Sequence, residues 1–326
     1  MIQNERRTTV LRRTMLVAGV AMILAAPSWL AAHGVVAELV TFGDSLSDPG
    51  NAFALVGGTN VPPDYSLDPL LVPDRPYARG GHHFSNGPTW IEQLAGSIGL
   101  PADANPAFRG SGVSAHNFAI GGARARFIAG NGSLPEQVSA FFQTGGPIAP
   151  SDAVYVVEIG GNDERDALVV AAGGGNPAPI IVDAVASIAT QVAALYAAGA
   201  RSFFVWTAPN VGFTPAVNAL GPGAVGAAAF ISQQFNAGLD AALAGLGALP
   251  GVHIVRFDIN ALLAQIVASP ASFGLTNVTT ACIAPGVAPF ECASPQTYLW
   301  WDGIHPTKAG HAIVARAAAQ TLGLQP

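Results

Sequence analysis

Cysteine, charge and basic clusters are all scarce in this chain, and each scarcity closes off a class of function. Only two of its 326 residues are cysteines, Cys282 and Cys292, and neither has a neighbouring histidine, which argues against a zinc site. Charged residues make up 10% of the sequence, with a formal net charge of −6. Beyond residue 13 there is no Lys/Arg run that could track a phosphate backbone, so nucleic acid is not an expected partner. Past residue 26 the longest apolar stretch, 178–199, is broken by Asp183, Ser187, Thr190 and Gln191, which argues against a membrane span in the mature chain. Internal repeats and linker-like stretches are also missing, and the reading is one domain over about 38–326.

What the chain does have is apolar bulk and many turns. Half of its residues are hydrophobic, and it carries 38 Gly and 25 Pro, which suits a globular protein rather than a disordered one. Residues 1–13 contain four arginines, Met15 to Ala26 carry no charge, and Pro27-Ser28 follow. That order reads as a secretory leader over residues 1–34, cut between Ser28 and Gly34. Arg12-Arg13 also resembles a twin-arginine export motif, and an uncleaved anchor is the alternative. In an exported chain, Cys282 and Cys292 read as a disulfide closing a short loop, with two unpaired thiols as the alternative. The expected location is secreted or periplasmic.

Strand-like apolar runs alternate with helical segments along the chain. Leu39 to Phe42, 115–120, 153–159, 201–207 and 252–257 read as strands. Residues 90–98, 178–198, about 223–246 and about 307–322 read as helices. This alternation predicts a parallel sheet covered by helices on both faces. Residues 50–87 are crowded with Gly, Pro, Asn and Asp and predict a long irregular excursion.

Three predicted strand ends carry turns suited to a site: Gly43-Asp44-Ser45-Leu46, Gly121-Gly122 and Gly161-Asn162-Asp163. In open parallel sheets, ligands bind beyond the carboxyl ends of the strands. Near the C-terminus, Asp302-Gly303-Ile304-His305-Pro306 places an acid three positions before a histidine, a spacing that lets the carboxylate orient an imidazole as base toward a serine. Asp44 reads as a turn residue beside the nucleophile, Asp48 and Asn51 as further turn formers, and Asp163 as a helix cap. His82-His83 read as solvent-exposed, His116 as a strand-edge residue, and His253 and His311 as structural. Trp300 and Trp301 read as core and pocket wall.

These four stretches together resemble the blocks of the SGNH, or GDSL, hydrolase family of esterases and lipases, in the family order and over residues 43–306. The resemblance implies a three-layer α/β/α, flavodoxin-like sandwich with a five-stranded parallel sheet. It implies Ser45 as nucleophile, His305 as base and Asp302 as the residue orienting it. It also implies an oxyanion hole of the Ser45 N–H, the Gly122 N–H and the Asn162 side chain, with Gly121 as the neighbouring candidate. No metal or organic cofactor is then required, and the partner is a small-molecule or lipid ester; the oligomeric state is left open. The segment from Phe42 to Asn51, with Phe84-Ser85-Asn86-Gly87 and Trp90, further resembles a secreted branch of phospholipase-like enzymes and autotransporter esterases. No barrel-like segment follows His305, which implies a free enzyme or one tethered by its N-terminus. The expected activity is secreted ester hydrolysis through an acyl-enzyme. The alternatives are phospholipase or acyltransferase activity, carbohydrate deacetylation, and a non-catalytic binding module on the same fold.

Overall fold

The computed structural model describes residues 36–78, 81–109 and 115–324, and the leader read at 1–34 lies outside them. Four strands, β1 (Glu38–Gly43), β2 (Ala153–Glu158), β3 (Ser202–Trp206) and β4 (His253–Phe257), pair in parallel in that order. Residues of β2 and β3 are buried without exception, as are those of β1 after Glu38. That is why these strands read as unbroken apolar runs instead of alternating ones.

Successive side chains point to opposite faces of the sheet, so the two faces feed separate cores. Val40, Phe42, Tyr155, Val157, Phe203 and Val205 form the first core. It is covered by α3 (Leu134–Gly145), α4 (Gly161–Ala172), α5 (Ala178–Ala197) and α7 (Pro222–Gly247). Leu39, Val154, Val156, Phe204, Trp206 and Phe257 enter the second, under α2 (Trp90–Ser97), α8 (Ile259–Ala268) and α9 (Lys308–Thr321). Two short helices, α1 (Asn51–Leu55) and α6 (Pro215–Ala219), sit in the connections. The result is three layers, α/β/α. Helix α5 is long and apolar enough to cross a membrane, yet Ile181, Ala184, Ile188, Val192 and Leu195 bury its stripe in the first core.

Helix starts follow local chemistry. Thr89 with Glu92, and Ser133 with Glu136, form reciprocal capping boxes at α2 and α3. Thr307 accepts from the Gly310 N–H at 3.0 Å and so starts α9. The predicted helices over 90–98, 178–198, 223–246 and 307–322 match α2, α5, α7 and α9 to within a residue or so at each end.

The expected fifth strand is reduced. The segment 115–120 lies along the free edge of β1, where the Thr41 N–H donates to the His116 carbonyl at 2.8 Å and the Phe118 N–H to the Thr41 carbonyl at 2.7 Å. Only Asn117 makes a ladder bridge to β1, so the described sheet has four strands. The cause is side-chain competition for backbone groups. Asn51 Nδ2 donates to the carbonyls of Asn117 and Ala119, each at 2.8 Å, and Asn117 Oδ1 accepts from the Ala119 N–H at 2.9 Å. These bonds bend the segment out of regular pairing while tying it to the turn after β1.

A second, two-stranded parallel sheet, β5 (Asn277–Ala281) with β6 (Tyr298–Trp300), precedes the last helix. Cys282 and Cys292 are disulfide-bonded directly after β5. The loop they close grips the chain leading to Asp302: the Cys282 N–H donates to the Trp300 carbonyl, and the Ile283 N–H to the Trp301 carbonyl at 3.0 Å. Replacing both cysteines by serine is expected to lower the unfolding free energy by about 2–3 kcal/mol, the chain-entropy value for so short a loop. Urea unfolding of the two proteins measures it.

Candidate active site

Strand β1 ends where β2 comes closest. A Cβ on Gly43 would lie 2.6 Å from the Glu158 carbonyl oxygen, so only glycine fits between the strand and the turn that follows. Asp44 shapes that turn, as expected: its Oδ1 accepts from the Leu46 N–H at 3.1 Å and its carbonyl from the Ser47 N–H at 3.2 Å. Ser45 sits on the turn with 8% of its surface exposed.

The histidine arrives from the far end of the chain. Asp302 has no solvent access, and its Oδ1 accepts from the N–H groups of Ile304 at 2.8 Å and His305 at 2.7 Å, curling the loop into one turn. Oδ2 lies 2.8 Å from His305 Nδ1, and His305 Nε2 lies 2.8 Å from Ser45 Oγ. A carboxylate only accepts, so the imidazole proton sits on Nδ1 and leaves Nε2 to accept from the serine hydroxyl. Gly303 sits against the excursion read at 50–87: its N–H donates to the Leu71 carbonyl at 2.9 Å, and a Cβ there would fall 1.9 Å from the Leu70 oxygen.

The same excursion supplies a residue that the motifs did not reveal. Tyr77, fully buried, donates its hydroxyl to Asp302 Oδ2 at 2.8 Å, on the oxygen that faces His305. It stacks edge-on in a trio with Tyr65 and Trp301. No sequence signal connects two residues 225 positions apart.

The glycine block separates two adjacent N–H groups. Gly121 donates to Asp48 Oδ2 at 2.8 Å, so its N–H is engaged. The N–H groups of Gly122 and Ser45 have no partner among the described residues. Gly122 has φ +82°, which glycine adopts without strain. Arg124 fixes this peptide by donating to the Gly122 carbonyl at 2.6 Å while forming a two-pronged pair with Asp166, both bonds at 3.0 Å. Asn162, in the first turn of α4, receives Arg165 Nη1 on its Oδ1 at 3.1 Å, and its Nδ2 donates to the Ala123 carbonyl at 3.0 Å. The remaining N–H has only a 3.4 Å contact with Asp44 Oδ2. The three donors expected of Ser45, Gly122 and Asn162 are therefore held without a strong internal acceptor.

Several supporting residues do different work from that expected. Asp163 does not cap α4, whose N-cap is Gly160; it is turned inward, where it accepts from the Ala125 N–H at 2.7 Å. Asp48 is more than a turn former, since it receives the N–H groups of Gly50 and Ala52 at the start of α1 as well as that of Gly121. His83 is not solvent-exposed but buried against Glu92, while His82 is half-buried, stacked on Phe53 at 3.6 Å. Among the described residues no cluster of His, Cys, Asp or Glu is arranged to hold a metal ion.

The chain is similar to known proteins of one family. A family model described as GDSL-like Lipase/Acylhydrolase matches residues 39–318. A GDSL esterase/lipase of Arabidopsis thaliana is 28% identical over 344 residues, covering 85% of this chain and 83% of that protein. A phosphatidylcholine-sterol acyltransferase of Aeromonas hydrophila is 27% identical over 291 residues, covering 87% of this chain and 78% of its own. Among solved structures, an acetylxylan esterase from Geobacillus stearothermophilus superimposes with a TM-score of 0.46 at 16% identity, over 88% of this chain and 94% of that one.

Two outcomes follow from the buried carboxyls. Burial pushes Asp44 and Asp163 up to about 6, and holds Glu158 and Glu164 well above the usual range. The folded protein thus keeps protons that the unfolded chain loses near pH 4, and this contribution to stability is lost as pH rises from there through the folded values. Unfolding free energy is expected to fall as pH rises from about 4 through about 6 and to keep falling above that, and Glu158→Gln to flatten the profile, as denaturant titrations at several pH values would record. Tyr77→Phe removes a donor from Asp302, leaving more negative charge beside the imidazole. The loss of that buried hydrogen bond to a carboxylate is expected to lower the unfolding free energy by about 1–3 kcal/mol, as urea unfolding of the two proteins would measure.

Proposed function

The chain belongs to the GDSL-like lipase/acylhydrolase family, and we propose that it hydrolyses carboxylic esters through an acyl-enzyme formed on Ser45. The observation that carries the reading is the unbroken line from Asp302 Oδ2 through His305 to Ser45 Oγ, 2.8 Å at each step. Ser45 Oγ attacks the ester carbonyl carbon as its proton passes to His305 Nε2. The oxyanion that forms is met by the Ser45 and Gly122 N–H groups and by Asn162 Nδ2. Collapse of the tetrahedral centre breaks the bond to the alcohol oxygen, which takes the proton from His305. A water then gives a proton to His305 and attacks the acyl carbon, releasing the acid and restoring the serine. Asp302 holds the imidazole in the productive tautomer and stabilises it while protonated.

Transfer of the acyl group to an alcohol instead of water is the second reading. It is favoured by the similarity to the Aeromonas acyltransferase, which covers most of both chains. The place of action belongs to the proposal as well: an exported single domain over about 38–326, with the leader removed between Ser28 and Gly34. The Cys282–Cys292 disulfide supports it, because such bonds persist in oxidising compartments.

A fluorophosphonate probe is expected to label the wild-type protein and to leave Ser45→Ala unlabelled. Equal labelling of the two proteins would overturn Ser45 as nucleophile.

A further inference from the structure

The core on the second face of the sheet is not filled. Between the sheet and helices α2, α8 and α9 lies a cavity of about 70 Å3, lined in its interior by Trp90, Trp206, Leu263, His311 and Val314. By a measure in which one water needs about 10–15 Å3, that is room for several atoms. Unfilled space of this kind costs stability in a close-packed core. The cavity reaches the site itself, since Ser45, Asn162 and His305 also line it and half-buried Leu46 stands next to the nucleophile.

The chemistry assigns an occupant by elimination. A tetrahedral centre on Ser45 has four substituents: the serine oxygen, the oxyanion, the leaving oxygen and the acyl carbon. The oxyanion turns to Ser45, Gly122 and Asn162, and the leaving oxygen must stay within reach of His305 Nε2. The acyl carbon is the substituent left for the apolar space. The volume sets its length: at about 10–15 Å3 for each water-sized occupant, about 70 Å3 holds about five to seven heavy atoms.

We propose that this cavity is the acyl site and that it selects esters of short carboxylic acids, butyryl to hexanoyl, over acetyl esters and over long fatty acyl groups. The proposal rests on the esterase reading above and adds the class of acid to it. Hydrolysis of p-nitrophenyl acetate, butyrate, hexanoate and decanoate by the full chain tests it, with kcat/KM as the readout. The wild type is expected to favour butyrate or hexanoate over both ends of the series by about tenfold or more, the discrimination that a few methylenes give in an apolar pocket. Leu263→Phe, which fills the cavity, is expected to lower the hexanoate-to-acetate ratio by about tenfold. Leu263→Ala, which lengthens it, is expected to raise the decanoate-to-acetate ratio by a similar factor, so the test survives if the larger side chain prevents folding. A flat wild-type profile, or ratios unmoved by the variants that fold, would overturn the acyl site. So would variants that change selectivity among acetate esters of different alcohols and leave the acyl series alone. Absence of any ester turnover together with failure of the fluorophosphonate probe to label Ser45 would overturn the esterase reading, and the acyl site with it. That outcome is distinct from a flat profile on a labelled, active enzyme.

Discussion

A carboxylate cut off from solvent is tolerable only if donors surround it, and four meet Asp302: two backbone N–H groups, the Tyr77 hydroxyl and His305 Nδ1. Much of the site depends on this arrangement. The two N–H bonds set the curl of the loop, which aims the imidazole at Ser45. The Tyr77 bond recruits the excursion after β1, and Gly303 packs so closely on that excursion that a methyl group could not enter. The disulfide loop holds Trp300 and Trp301 from behind. One buried charge thus obliges three otherwise irregular stretches of chain to take one arrangement. Tyr65, Leu70, Leu71 and Tyr77 of that excursion form the outer wall of this carboxylate pocket.

The parallel sheet supplies the complementary half. Gly43 pairs with Glu158, so the turn carrying Ser45 and the turn carrying Asn162 leave the sheet at the same level. The third turn, at Gly121-Gly122, has no regular strand beneath it and is brought to that level by side chains instead. Asp48 takes the Gly121 N–H, Asn51 takes two carbonyls of the 115–120 segment, and Arg124 takes the Gly122 carbonyl. Spending the Gly121 N–H on Asp48 leaves the next N–H along the chain as the donor that is free to act. This dense buried polar work is costly, and the raised values of Asp44, Asp163, Glu158 and Glu164 record it.

How far the sequence could be read follows from the range of each interaction. Strands β1 to β4 and helices α2, α5, α7 and α9 carry periodicity and local caps, and these are signals contained within a few residues. The positions that converge at the site were legible because each block is a short turn with its own local requirement, such as glycine beside a neighbouring strand or an acid one turn before a histidine. The weakened strand at 115–120 was not legible, because it is bent by Asn51, a residue far away in sequence. Tyr77 and Arg124 escaped for the same reason, since a lone tyrosine in a Pro-rich loop has no local mark of the carboxylate it will meet. Asp163 has the sequence mark of a cap, since an acid at a helix start usually caps, but tertiary packing draws it inward instead. His83 lies in a Gly-rich loop that looked exposed, yet Glu92, fixed at the start of α2 by its capping box, draws it into the fold.

The cavity beside Ser45 sharpens this contrast between local and distant signals. Trp90, Leu263 and Val314 fall on the apolar faces of three helices, so in sequence they are indistinguishable from core residues, and a void among them has no signature. Only the assembled core shows that these side chains leave space, and only the neighbouring serine gives that space a chemical meaning. The same side chains therefore serve two ends. Their outer faces pack the second core, as Trp90 does against Trp206 at 4.6 Å between ring centroids, and their inner faces bound the space beside Ser45. A substitution there acts on packing and on selectivity together. For that reason, ratios between substrates, in which a general loss of folded protein cancels, separate the two effects where a single rate would merge them.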